Sequence, residues 1–111
     1  MNWYPNLYVG KKAEKKREVL IRKLETGKTP ANTYLLTLPL GEKNQLEIIP
    51  AWNLKFWYKK RMVPMIIGLG CGRAEMLELL QQITEEVFRQ TGGADLRGYF
   101  ERTISKFDRK Q

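Results

Sequence analysis

The feature that most limits the fold is a stretch of 11 residues without charge, Met62–Gly72, followed at once by a strongly amphipathic segment. The stretch is mainly apolar and contains Pro64 and three glycines. A helix needs about 20 apolar residues to span a bilayer, so this stretch predicts a buried strand instead. We expect the strand at Met65–Leu69, with Gly70-Cys71-Gly72 turning the chain into the next helix.

The segment after this strand has the clearest helical pattern in the chain. Its apolar residues recur at spacings of three and four, which predicts a helix over Arg73–Gln90 that ends at Gly92-Gly93. Those residues are Met76, Leu79, Leu80, Ile83 and Val87. Asp95 is a suitable N-cap for a final helix, and the residues predicted to share one face of it are Leu96, Phe100, Thr103 or Ile104, and Phe107.

The first half predicts one helix and two strands. Lys11–Lys28 places Ala13, Leu20, Ile21 and Leu24 on one helical face. Thr33–Leu38 has the composition of a strand, and Gly41–Asn44 that of a turn. Residues 46–54 have the period-2 pattern of a strand, with Leu46, Ile48, Pro50, Trp52 and Leu54 on one face. Pro50 implies an edge strand, a bulge or an early end. Trp3, Tyr4, Leu7 and Tyr8 supply enough apolar bulk to pack the N-terminus onto the core.

These elements predict one domain over residues 1–111, because domains most often have about 100–150 residues. The fold class is α+β, with element order α-β-β-β-α-α. Short connections between the strands favour a three-stranded, mainly antiparallel sheet with the helices packed on one face.

Several kinds of catalytic chemistry are excluded by composition. The chain has no His and one Cys, Cys71, and its one Ser is Ser105. Cys/His zinc sites and the Cys–His and Ser–His catalytic pairs therefore cannot form. The glutamates of the long helix, Glu75, Glu78, Glu85 and Glu86, are interpreted as a solvated face. We expect a protein that is not an enzyme and that has no catalytic residue, metal site or cofactor.

The expected location is the cytoplasm. A single Cys cannot form an internal disulfide, which suits a reducing compartment. Residues 1–6 lack the basic region and apolar run of a signal peptide. Together with the short apolar stretch, this predicts no membrane partner.

The net charge of +8 is confined to the first half of the sequence. Residues 1–62 hold 13 basic and 5 acidic side chains, whereas residues 63–111 hold 7 of each. The excess concentrates in Lys11–Lys28 and in the basic-aromatic segment Lys55–Arg61. Aromatic side chains interleaved with cations are typical of single-stranded nucleic-acid surfaces, but core aromatics flanked by solubilising lysines have the same pattern. The candidate partner-binding or nucleic-acid-binding residues are Lys11, Lys12, Lys15, Lys16, Lys55, Trp57, Tyr58, Lys59, Lys60 and Arg61.

The turn Gly68–Arg73 is a candidate anion site. It lies between a strand and a helix N-terminus, where backbone N–H groups can hold phosphate. Its G-x-G-x-G spacing matches neither the dinucleotide fingerprint nor the P-loop, so a tight turn built on glycine is the stronger interpretation. The candidate anion-binding residues are Gly70, Cys71, Gly72 and Arg73.

Three segments resemble a known group of proteins: Met1–Gly10, Ile49–Trp52 and Glu86–Gly93. They are similar to an uncharacterised family of small, single-domain hypothetical proteins from anaerobic Gram-positive bacteria. The resemblance spans most of the chain, is most specific in the N-terminal block, and does not extend to Lys55–Cys71. It implies a bacterial cytoplasmic protein and assigns no catalytic residue.

The sequence therefore favours a non-enzymatic module for macromolecular interaction. A protein partner, or self-association through an uncovered sheet edge, is the first interpretation because it needs only apolar and aromatic surface. Nucleic-acid binding through residues 11–28 and 55–61 is the second, and it requires those segments to share a face. Binding of an anion or phosphate ligand at Gly68–Arg73 is the third.

Overall fold

A computed structural model describes residues 1–39, 45–59 and 64–109, with the side chains of residues 57–59 and 107–109 outside the described set. The predicted turn at Gly41–Asn44 lies outside the described residues. The elements, in chain order, are β1 (Asn2–Val9), α1 (Lys11–Glu14), α2 (Arg17–Glu25), β2 (Thr33–Thr37), β3 (Glu47–Pro50), a 3-10 turn (Ala51–Asn53), α3 (Leu54–Lys59), β4 (Met65–Cys71), α4 (Arg73–Thr91) and α5 (Leu96–Arg109).

The sheet has four strands in the order β1-β4-β2-β3 and is mixed. β2 pairs antiparallel with both β3 and β4, whereas β1 pairs parallel with β4. The α+β class is confirmed, but the prediction of three strands and the predicted element order were wrong because β1 was missed. Pro5 and Asn6 interrupt its strand pattern, and its register with β4 shifts between Trp3 and Tyr8.

Helices cover both faces of the sheet, so the prediction that they pack on one face was wrong. Ala13, Leu20, Leu24 and Leu54 belong to one buried cluster, whereas α4 and α5 contribute to a second. The central strands explain this arrangement, since adjacent residues of β2 and β4 are buried on opposite sides. The pairs are Leu35 with Leu36 and Ile66 with Ile67. A strand that is apolar on both faces needs a helical layer on each.

Two elements of the first half differ from the sequence prediction. The single helix over 11–28 is divided into α1 and α2, and the break falls at Lys15 and Lys16 within a run of like charges. The predicted strand over 46–54 ends at Pro50, which removes a backbone donor. The chain then forms the 3-10 turn and α3, so the start of the basic-aromatic segment is helical rather than a strand end.

The second half follows the sequence closely, except that β4 continues to Cys71 and so includes two residues of the predicted turn. Helix α4 covers the predicted range, and its left-handed C-cap is Gly92. Asp95 accepts a hydrogen bond from the backbone N–H of Gly98 at 3.1 Å, which confirms it as the N-cap of α5. A Cβ at Gly70 would collide with the Met76 sulfur, so this glycine lets α4 lie close to β4.

An aromatic cluster joins α5 to the N-terminal strand. Phe100 is fully buried, and its ring meets those of Tyr4, Tyr8 and Tyr99 edge-on, with centroids 5.3, 6.1 and 5.2 Å away. The Tyr8 hydroxyl donates to Glu86 at 2.8 Å. Glu86 is therefore half-buried and engaged, not part of a solvated face as its helical position suggested.

The cluster predicts a loss of stability at alkaline pH. Burial, together with the hydrogen bond to Glu86 and its charge, raises the pKa of Tyr8 above its usual range. Above pH about 10 the unfolded chain releases a proton that the folded protein retains, so the free energy of unfolding falls as pH rises. In Tyr8→Phe this contribution is absent, and the slope should be shallower by up to about 1.4 kcal/mol per pH unit. Urea unfolding from pH 8 to 11 measures both slopes, and parallel profiles would contradict the assignment.

Candidate binding surface

The parallel strands β1 and β4 end side by side, and the chain leaves them toward opposite faces of the sheet. After β1 the chain enters α1 on one face, and after β4 it enters α4 on the other. The backbone N–H of Gly10 donates to the Leu69 carbonyl at 2.9 Å and holds the two exits together. Crevices outside the carboxyl ends of strands, where the connections diverge, are common positions for binding sites in open α/β sheets.

Glu75 fills this crevice with its own carboxylate. Although it lies in the first turn of α4, it is 9% exposed. Its Oε1 accepts a hydrogen bond from the Lys12 backbone N–H at 2.5 Å, and its Oε2 accepts one from the Cys71 N–H at 2.6 Å. A Cβ at Gly10 would overlap this carboxylate, so a glycine is needed there. The prediction of a solvated glutamate was therefore wrong for Glu75, which ties α1, β4 and α4 together.

The predicted anion site lies beside this carboxylate. Gly70 and Cys71 are buried at the end of β4, and Arg73 is exposed at the start of α4. The Gly72 N–H donates to the Asn32 carbonyl at 2.8 Å, while the Cys71 N–H is taken by Glu75. An anion that bound the Cys71 amide would have to displace the Glu75 carboxylate. Anion binding at this turn stays a prediction, with an internal carboxylate as its competitor.

A second, open cleft lies at the same end of the sheet, on the side of the edge strand β3. Its volume is about 410 Å³. Trp52 borders it with 66% of its surface exposed, directly after the strand end at Pro50. The lining residues are Thr29, Pro30, Ala31, Asn32, Thr33, Tyr34, Pro50 and Trp52. Sequence reasoning placed Trp52 in an alternating strand and missed its exposure, because the 3-10 turn that projects it is set by tertiary contacts.

A smaller concavity adjoins this cleft and shares Thr29 with it. It is lined by Leu24, Gly27, Lys28, Thr29, Leu54 and Lys55. Lys28 lies three residues after the end of α2 and Lys55 is the second residue of α3, so the tertiary structure brings the end of one basic segment to the start of the other. Both lysines are exposed, and neither forms a salt bridge within the described part of the chain. The residues lining these two depressions are called the Trp52 surface below.

The other candidate residues lie on the same layer or outside the described set. Lys11, Lys12, Lys15 and Lys16 are exposed on α1 and the break that follows it. The backbones of Trp57, Tyr58 and Lys59 belong to α3, but their side chains are outside the described residues, as are Lys60 and Arg61. Because α1, α2 and α3 pack on one face of the sheet, the basic side chains that the structure describes on these helices lie in one layer.

The opposite layer has an apolar depression of its own. It has a volume of about 480 Å³ and is lined by Thr84, Glu85, Phe88, Arg89 and Ala94. Phe88 is 59% exposed. The layer of α4 and α5 belongs to the charge-neutral half of the sequence, and this depression carries one acidic and one basic side chain.

Across residues 1–39, 45–59 and 64–109, no group of three or more His, Cys, Asp or Glu side chains is placed to hold a metal ion. Within the same ranges, none of the helices combines the length and apolar character needed to cross a membrane.

No protein-family model matches the chain, and no curated protein or solved structure matches it at a significant level.

Proposed function

We propose that this protein is a non-enzymatic interaction module that binds another macromolecule through the Trp52 surface. The observation that supports this most is the 66% exposure of Trp52 at the edge of an open cleft. A large aromatic side chain left in water is unfavourable for an isolated protein, and buried Trp residues are frequent anchors of binding interfaces. Tyr34, Pro30 and Pro50 line the same cleft.

The sheet edges are less suited to association than this surface. β3 has four residues and ends at Pro50, and β1 contains Pro5 and a register shift against β4. Short edge strands, prolines and bulges are the features by which proteins prevent edge-to-edge pairing. We therefore assign the interaction to side chains of the Trp52 surface, not to β-augmentation. The single, buried Cys71 supports a cytoplasmic location for the module.

Site-specific photo-crosslinking in bacterial cells tests this proposal. A photoreactive phenylalanine analogue replaces Trp52 in one variant and Phe88, on the opposite layer, in a matched control. We expect crosslinked products of defined size from position 52 that are absent from position 88. Digestion with nuclease or protease, and the mass of a self-crosslinked product, then identify the class of partner.

Three outcomes would contradict the proposal. Position 52 could give no discrete product, or both positions could give the same products in the same yield. A product that persists after the Thr29→Ala and Asn32→Ala substitutions together would also place the contact elsewhere, provided that circular dichroism shows the variant folded.

A further inference from the structure

We infer that the partner of the Trp52 surface is single-stranded nucleic acid, with a base stacked on Trp52 and the adjoining phosphates held by Lys28 and Lys55. This inference rests on the proposed function and names the class of ligand for the same site. It is carried by the juxtaposition of an exposed indole and two lysines that have no salt bridge within the described residues.

The stacking position is defined by the cleft beside Trp52. The indole ring is two-thirds exposed, and polar side chains of Asn32 and Thr29 line the same cleft. An exposed indole provides a flat surface on which any base can stack, and neighbouring polar groups can hydrogen-bond to base edges or sugars. A cleft of about 410 Å³ is within the size range of sites that hold a group as large as a nucleotide.

The charges at the site favour a polyanion. Lys28 and Lys55 line the adjoining concavity, and no acidic side chain lines either depression among the described residues. The nearby acid of α2, Glu25, accepts a hydrogen bond from the Trp3 indole at 3.1 Å. The two lysines are therefore available to neutralise phosphates, which is the main source of affinity for nucleic acid.

The helical layer around the two lysines also comes from the positively charged half of the sequence. The layer of α1, α2 and α3 comes from the half of the sequence that holds all the excess positive charge, and the layer of α4 and α5 comes from the neutral half. A one-sided positive field orients a polyanion toward one face and increases its rate of association. An apolar protein partner would need only the ring of Trp52 and would gain nothing from this layer asymmetry.

Stacking of a base on Trp52 favours single-stranded over double-stranded nucleic acid. In a duplex the base faces are covered by neighbouring bases, so Trp52 could contribute only if a base pair were opened, which costs a few kilocalories per mole. Single strands present these faces without that cost. RNA and DNA share the chemistry used here, and the binding experiment separates them.

Fluorescence anisotropy with labelled oligonucleotides tests the inference directly. The probes are oligothymidine and oligouridine of about 12 nucleotides, a length that one small binding domain can cover, and a mixed-sequence duplex of equal length. We expect the full chain to bind either single strand more tightly than the duplex. Trp52→Ala should weaken single-strand binding by about 5- to 150-fold, the range expected for loss of one stacked base. Phe88→Ala, a matched exposed aromatic on the opposite layer, should leave it unchanged.

The salt dependence tests the two lysines. Each phosphate contact on a single strand contributes about −0.7 to the slope of log K against log salt concentration. Lys28→Gln combined with Lys55→Gln should therefore flatten the slope by about 1.4. Arg102→Gln combined with Lys106→Gln removes the same charge from exposed positions of α5 and should change the slope much less. Thermal unfolding of each variant confirms that the fold is retained.

Several results would overturn the inference. They are absence of binding at low salt, equal or tighter binding of the duplex, equal loss in the Trp52 and Phe88 variants, and equal slopes for the two double variants. If the crosslinked product at position 52 is a protein, the proposed function stands and the assignment to nucleic acid is wrong. If position 52 gives no product at all, the proposed function fails as well.

Discussion

Replacing Glu75 with Ala should destabilise the protein by about 3 kcal/mol, because each buried N–H group left without an acceptor costs about 1–3 kcal/mol. The carboxylate accepts from Lys12 and Cys71, which lie on α1 and β4 respectively. Both hydrogen bonds have an ionised acceptor, and such bonds are about twice as strong as neutral ones. A loss of this size is a large part of the typical stability of a small domain, about 5–15 kcal/mol.

Urea unfolding followed by circular dichroism measures this effect. Glu78→Ala, one turn away on the exposed side of α4, is the control and should change the free energy of unfolding by less than about 0.5 kcal/mol. Glu75→Gln keeps the shape but replaces one acceptor oxygen with a donor, so it should lie between the wild type and Glu75→Ala. Equal stability of Glu75→Ala and Glu78→Ala would show that the carboxylate does not join the three elements.

The Glu75→Ala variant also tests the prediction of an anion site. If the turn at Gly70–Arg73 can hold phosphate, removal of the competing carboxylate should reveal that binding. Phosphate at millimolar concentration should then raise the melting temperature of Glu75→Ala more than that of the wild type, because a ligand that binds the folded state stabilises it. Equal shifts in both proteins would remove the turn as an anion site.

Phe100→Ala should cost about 3–5 kcal/mol, the range for truncation of a fully buried aromatic side chain. The ring is fully buried and meets three tyrosines edge-on, so its removal leaves a cavity between α5 and β1. The loss combines the transfer free energy of the ring with the loss of contacts that the surrounding tyrosines can recover only in part.

Two substitutions test the reason for this loss. Phe100→Leu retains most of the apolar volume and should be clearly less destabilising than Phe100→Ala. Phe88→Ala removes the same side chain from an exposed position of α4, so it should cost about 0.5 kcal/mol or less. Similar losses for Phe100→Ala and Phe88→Ala, measured by the same urea titration, would contradict the buried position of the Phe100 ring.

Local patterns were sufficient where an element is long or its boundary has a distinct chemical signal. The apolar spacing of α4, Gly92 at its end and Asp95 at the start of α5 all predicted features that the structure confirms. They failed where tertiary pairing decides the element. β1 contains Pro5 and is a strand because it lies beside β4, a partner more than fifty residues away in sequence.

The candidate surface shows the same division. Sequence identified the basic residues and the half of the chain that carries them, because charge is a property of composition. It could not place Lys28 beside Lys55, since their proximity depends on α2 and α3 packing on one face of the sheet. Nor did the sequence predict that Trp52 is exposed and Glu75 buried, because packing makes each differ from the pattern of its neighbours.

The sequence alone determined a small α+β domain with an apolar central strand, a long amphipathic helix and an excess of +8 charge in its first half. These features follow from hydrophobic periodicity, which is a local pattern, and from composition. Neither depends on contacts between residues that are distant in sequence. The tertiary structure decided that β1 joins the sheet in parallel, that helices cover both faces, and that the basic helices α1 and α2 lie in one layer. Those outcomes depend on long-range burial: β4 is apolar on both sides, and only two opposed helical layers can remove both faces from water.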